Sequence, residues 1–100
     1  MTPRSVELTA AALADLDSLF DYIAAGNPRA AATILRALNA SMNRLIEQPR
    51  LGRSYRHRNR RLRVLVQDRY LIFYRERPDV IEVVRVLDGR RHVPDLLDDW

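Results

Sequence analysis

The sequence predicts an α+β fold: a short N-terminal strand, an αα-hairpin, then a three-stranded antiparallel sheet with a short C-terminal tail. Three observations predict it. Apolar residues recur at helical spacing through two long runs, with only Gly26-Asn27-Pro28 between them. Three later runs, 62–67, 70–75 and 80–87, are rich in β-branched and aromatic residues. The connections between those runs, Asp68-Arg69 and Arg77-Pro78-Asp79, are short enough only for antiparallel neighbours.

The elements follow in order. Residues 4–9 alternate weakly, Val6 and Leu8 against Ser5 and Glu7, as a short edge strand would. Thr9 is placed to cap the Ala-rich run behind it. Leu13, Leu16, Phe20 and Ile23 mark the buried stripe of the first helix, and Leu19 widens it. Asp15, Asp17 and Asp21 fall mostly off that stripe. Gly26 is placed to end the helix at C′.

Asn27 then caps a second helix, with Pro28 at its first position. Ala31, Leu35, Leu38, Met42, Leu45 and Ile46 mark its inner side, and Pro49 closes it. Residues 50–61 have no apolar periodicity and are crowded with Arg, so they read as a solvated loop. The run 80–87 is apolar on both faces except at Glu82 and Arg85, as in a central strand. In 93–100, Val93, Leu96 and Leu97 have helical spacing, limited by Pro94 and Asp98-Asp99. The helical hairpin must cover one sheet face; the other is expected to stay open or to receive a partner.

A chain of 100 residues, 47% of them apolar, suits a single domain, 1–100, with one modest core. With no cysteine, disulfides and thiolate metal sites are excluded. No apolar run has the length of a membrane span, and Met1-Thr2-Pro3-Arg4 leads into no signal-like apolar region. A cytoplasmic protein with no membrane partner is the expectation. All 17 basic residues are Arg, so no lysine can act as nucleophile or base. Charge is uneven: residues 1–49 carry net −1, 50–91 net +8 and 92–100 net −3, which together give the overall +4. A basic middle fits an anionic partner, either nucleic acid or an acidic protein segment.

Several residues could carry chemistry. His92 can titrate near neutrality, with Arg90 and Arg91 beside it to stabilise developing negative charge; the plainer reading is a surface histidine. His57 reads as a loop residue, and two distant histidines make no metal site. Arg50, Arg53, Arg56, Arg58, Arg60 and Arg61 could track a phosphate backbone, face solvent or dock acidic side chains. Arg85 must reach solvent or a carboxylate, for which Glu82 and Asp88 are the nearby choices. Tyr70 and Tyr74 share one strand face and read as packing. Tyr22 reads as a boundary residue, and Leu19 and Ile34 widen the helical hairpin's apolar surface.

The chain resembles the ParE/RelE superfamily of toxins from type II toxin–antitoxin systems. The resemblance rests on residues 15–23 (DLDSLFDYI), Asn27-Pro28-Arg29-Ala30-Ala31, Pro49-Arg50-Leu51-Gly52-Arg53, RYLIFYR at 69–75 and IEVVRVL at 81–87. They occur in family order over nearly the whole chain. The resemblance implies a β-αα-βββ toxin, needing no cofactor or metal, neutralised by a cognate acidic antitoxin. ParE-type members poison DNA gyrase, whereas RelE-type members cut mRNA in the ribosomal A site without a metal. The lysines frequent in the RelE-type site have no counterpart here, and Leu96-Leu97 replace its late tyrosine. A ParE-like gyrase inhibitor is therefore the first expectation, with Arg85, Arg90, Arg91 and His92 meeting the target. Leu19, Tyr22, Ile34, Arg53, Arg61, Arg63, Tyr70 and Tyr74 are the antitoxin-binding candidates. A ribosome-dependent endoribonuclease using Arg63, Arg85, Arg90, Arg91 and His92 is the alternative. A third possibility is an interaction module without toxicity.

Overall fold

A computed structural model describes residues 5–100; the reading of Met1–Arg4 lies outside them. The elements are β1 (Ser5–Leu8), α1 (Ala10–Gly26), α2 (Pro28–Glu47), β2 (Arg53–His57), β3 (Arg60–Gln67), β4 (Tyr70–Glu76), β5 (Val80–Asp88) and the short α3 (Val93–Leu96). One five-stranded sheet has the order β1-β5-β4-β3-β2. Pairing is antiparallel throughout except that β1 runs parallel to β5, with Val6 opposite Ile81. The sheet is therefore mixed, with five strands rather than the three antiparallel ones expected. Parallel pairing of β1 requires a long crossover, which the two helices supply.

Local chemistry accounts for the helices. Thr9 Oγ1 accepts from the Ala12 N–H at 3.0 Å and donates to the Val84 carbonyl at 2.7 Å, so one hydroxyl caps α1 and pins it to β5. Asn27 alone joins the helices. Its N–H donates to the Ile23 carbonyl at 2.8 Å, and its side chain accepts from Ala30 N–H at 3.0 Å. Gly26 is thus the last helical residue, and no glycine among the described residues has positive φ. The expected C′ glycine gives way to an asparagine shared by both caps.

The helical hairpin packs on one sheet face. Ala12, Leu38, Met42 and Leu45 meet Ile72, Tyr74, Ile81 and Val83 there, with Leu16, Leu19 and Ile23 beside them. The stripe on α1 is therefore rotated from the expected one: Leu13 is 52% and Phe20 37% exposed, while Ala12 is fully buried. Apolar side chains surround much of α1, so spacing alone did not single out the inner row.

Two corrections concern the second half. The supposed loop at 50–61 contains β2, whose Tyr55 and His57 face inward while Arg53 and Arg56 stay exposed. Alternation was hidden because the positions on the inward face carry Arg53, Tyr55 and His57, none of them aliphatic, and arginine crowds the turn. The opposite sheet face is not open either. Leu62, Val64, Phe73, Val84 and Leu87 are buried there beneath the fully buried Leu97, with Val93, Leu96 and Trp100 around it. Residues 93–100 thus form a strap across the second face.

Candidate functional site

The site is framed by a register irregularity in the sheet's middle. Phe73 lies opposite Arg85, but the next pair is Tyr74 with Val83, so Val84 is an extra residue. Beyond Leu8, β1 has ended and the outer edge of β5 is bare of a strand. The irregularity sends the Arg85 side chain around that edge. Its guanidinium donates to both Asp15 carboxylate oxygens at 2.7 Å each, and to the Leu96 and Asp99 carbonyls at 2.6 and 2.8 Å. Asp15 also accepts from Val86 N–H at 2.9 Å, closing the open edge.

Arg85 and Asp15 are each 12% exposed as side chains. The hydrogen bonds from Asp15 hold the Arg85 guanidinium even more firmly protonated than usual. This corrects the target-facing role expected for Arg85, because its donors are turned inward. It also corrects its expected partner. Glu82 instead holds Arg75 and Arg77, and Asp88 holds Arg90 and Arg69.

Beside this pair, a cleft of about 660 Å³ opens between α1 and the far end of β5. Leu19 and Tyr22 form one wall, Tyr70 and Val86 the other, and Arg90 and Arg91 complete the lining. Tyr22 is 78% exposed. Arg90 forks onto Asp88 at 2.9 Å, and that hydrogen bond holds the Asp88 carboxyl below its usual range. Gly89 N–H donates to the Arg69 carbonyl at 2.8 Å, fixing where the basic segment leaves the sheet. Arg91 has no side-chain partner among the described residues and is exposed. His92 is 74% exposed, 3.7 Å from Asp95 and outside the cleft lining. The cleft therefore offers aromatic and aliphatic walls with a free guanidinium at the mouth, a combination suited to a protein segment with an apolar anchor and an acidic flank.

The strap has its own fastenings. His57 Nε2 lies 2.6 Å from Asp98 Oδ1, and Arg58 donates to the two Asp98 oxygens at 2.7 and 3.0 Å. Those bonds, Arg58 first, hold the Asp98 carboxyl well below the usual carboxylate range. The guanidinium carbons of Arg60 and Arg75 lie 4.4 and 5.0 Å from the Trp100 ring centre. His57, expected in a loop, is a buried β2 residue, and Trp100 carried no signal in the sequence, because their partners lie 41 and 25 to 40 residues away.

The antitoxin-binding candidates divide. Leu19, Tyr22 and Tyr70 meet in the cleft. Arg53, Arg61 and Arg63 lie on the β2–β3 hairpin, and Ile34 packs against the core from α2. Tyr74 is corrected outright: it is fully buried, accepts from Gly52 N–H at 2.9 Å and donates to the Pro49 carbonyl at 2.8 Å. A Cβ on Gly52 would come within 2.8 Å of that ring, so Pro49-Arg50-Leu51-Gly52-Arg53 is a socket for Tyr74.

Nor do the five ribonuclease candidates converge. Arg63 donates to the Gly52 carbonyl at 2.8 Å and is level with Tyr74. Asp88, just before Arg90, is level with Tyr70. Four residues of extended chain separate those levels by roughly 13 Å.

Fold and site together define a small α+β domain with an apolar cleft lined by arginines at one end, the class of the toxin–antitoxin toxins. The chain belongs to the ParE toxin family: the family model described as the ParE toxin of the type II toxin–antitoxin system parDE matches residues 6–93. A candidate toxin of Sinorhizobium fredii (strain NBRC 101917 / NGR234), Y4kP, is 32% identical over 97 residues, covering 97% of this chain and 100% of the relative. A solved structure titled as the chromosomal ParDE system from P. aeruginosa is similar with a TM-score of 0.69 and 22% identity. It covers 83% of this chain and 92% of that one. At that identity the likeness bears on the fold.

Proposed function

We propose that this ParE-type toxin arrests growth by binding DNA gyrase in the cytoplasm, and that a cognate acidic antitoxin neutralises it. The observation that carries the reading is the exposed Arg91 at the mouth of an apolar cleft, in a chain of the ParE family. Arg90 is already committed to Asp88, so Arg91 is the primary charged contact and Arg90 the positioning one. His92 lies beside them as a further contact. The action is stoichiometric binding, since the basic candidates for phosphate chemistry are spread along the sheet.

The test is induced expression without antitoxin, following DNA breaks and protein synthesis in parallel. DNA damage appearing before translation falls is the expected result. Translation failing first, with mRNA cut on ribosomes, would transfer the assignment to the RelE-type alternative. Unimpaired growth would leave an interaction module without toxicity.

A further inference from the structure

The β2–β3 hairpin carries a like-charge opposition that no carboxylate relieves among the described residues. Arg56 lies directly opposite Arg61 in the register, and Ser54 opposite Arg63. Directly opposed side chains share one face with Cβ atoms about 5 Å apart, and like charges there repel. Both guanidiniums are exposed and neither has a carboxylate partner among the described residues. The other face of the same hairpin differs: Arg58 is on Asp98 and Arg60 is over Trp100. A shallow hollow of about 450 Å³ lies against Ser54, Arg56 and Arg61. The strand that carries Arg56, β2, is also the outermost strand of the sheet. Its outer backbone groups have no strand partner among the described residues.

We propose that the β2 edge, with Arg56 and Arg61, is a docking site for an extended acidic segment of a partner protein. The segment continues the sheet by one strand, and its carboxylates sit on the opposed guanidiniums. Three observations favour a peptide over a nucleic acid. An open strand edge offers backbone groups that only another polypeptide can pair along. The hairpin's Tyr55 packs edge-on against Phe73 at 5.1 Å on the opposite face, so it is not a platform for bases. The same hairpin already grips a carboxylate from the strap, Asp98, through His57 and Arg58. Identifying the segment with the antitoxin rests on the toxin–antitoxin reading above; the docking chemistry does not.

The test uses the full chain and a synthetic peptide of alternating Glu and Val, with a Lys-Val peptide and a single-stranded thymidine 20-mer as comparisons. The Glu-Val peptide is expected to bind, to slow amide exchange in β2, and to weaken at least tenfold with R56E/R61E. R56Q/R61Q, which removes the charge but keeps a polar side chain, is expected to weaken it as well, whereas R29E at the start of α2 leaves it unchanged. No binding up to millimolar peptide, or binding indifferent to Arg56 and Arg61, would overturn the proposal. Tighter binding of the thymidine 20-mer through the same arginines would overturn it in favour of a nucleic-acid surface. R56E/R61E is expected to keep its effect on gyrase, so failure here is distinguishable from failure of the gyrase reading.

Discussion

Arg85 and Asp15, 70 residues apart, form one two-pronged ion pair that ties the helical face of the sheet to the strap on the other face. The contact works because β1 stops at Leu8 and leaves an edge for Arg85 to pass. Asp15 also lines the cleft, so the same carboxylate shapes the candidate docking site and indirectly holds the strap.

Breaking that pair leaves a charge stranded among buried groups. Asp15→Ala and Arg85→Ala are each expected to lose about 3–5 kcal/mol, measured by urea unfolding. Trp100, the single tryptophan, gives a second reading, because its fluorescence reports the strap. Both variants should make it more accessible to a soluble quencher. A loss below 1 kcal/mol with unchanged quenching would refute the linkage.

Tyr74 is expected to be structural. Tyr74→Phe removes the hydroxyl between Gly52 and Pro49 and should cost about 1–3 kcal/mol by leaving those backbone groups unpaired. Gly52→Ala should also destabilise, since the added methyl meets the ring and the Val64 carbonyl at 2.8 Å. Thermal unfolding checks both. Burial pushes the Tyr74 phenol up, so it should stay protonated in alkaline solution when exposed tyrosines titrate.

The strap should loosen in acid. Asp98 is held ionised by Arg58 and His57, so its folded-state pKa lies below the unfolded value, near 3.9. A depressed carboxyl contributes stability above the unfolded pKa, and that contribution is lost as pH falls through the folded one. Quenching of Trp100 should therefore rise below about pH 4. In Asp98→Asn it should already be raised at neutral pH, with a weaker further response to acid. A flat profile in the parent protein would refute this fastening.

The Arg56–Arg61 opposition should be visible as stability withheld. Arg56→Glu puts an opposite charge across from Arg61 and is expected to gain a few tenths to about 1 kcal/mol. High salt should shrink the gain. Denaturant unfolding at low and high salt measures it. A destabilised variant would mean that the two guanidiniums are already neutralised.

Much of this architecture was legible in the residues, and the failures have physical causes. The α2 stripe, the Asn27 cap and the last three strands follow from spacing and turn chemistry. Strand β2 was hidden because its inner face carries Arg53, Tyr55 and His57 rather than aliphatic residues, so no apolar alternation shows. The inner face of α1 was ambiguous because Leu13 and Phe20 are apolar yet exposed. Arg85 was recognisable as needing a partner; Asp15 was not recognisable as that partner, since nearby Glu82 and Asp88 were equally eligible. The closed second face could not be read, because it depends on a strap held by side-chain contacts and carbonyls rather than by a strand pattern.

The proposed contact with gyrase is made through Arg91 and the cleft beside it. Supercoiling of relaxed plasmid by purified gyrase, titrated with the parent protein and with Arg91→Glu, is its decisive test. The parent protein should inhibit at micromolar levels, with Arg91→Glu at least tenfold weaker, about 1.4 kcal/mol, and equally stable. Supercoiling that proceeds unchanged with the parent protein, or inhibition that Arg91→Glu leaves intact, would contradict it.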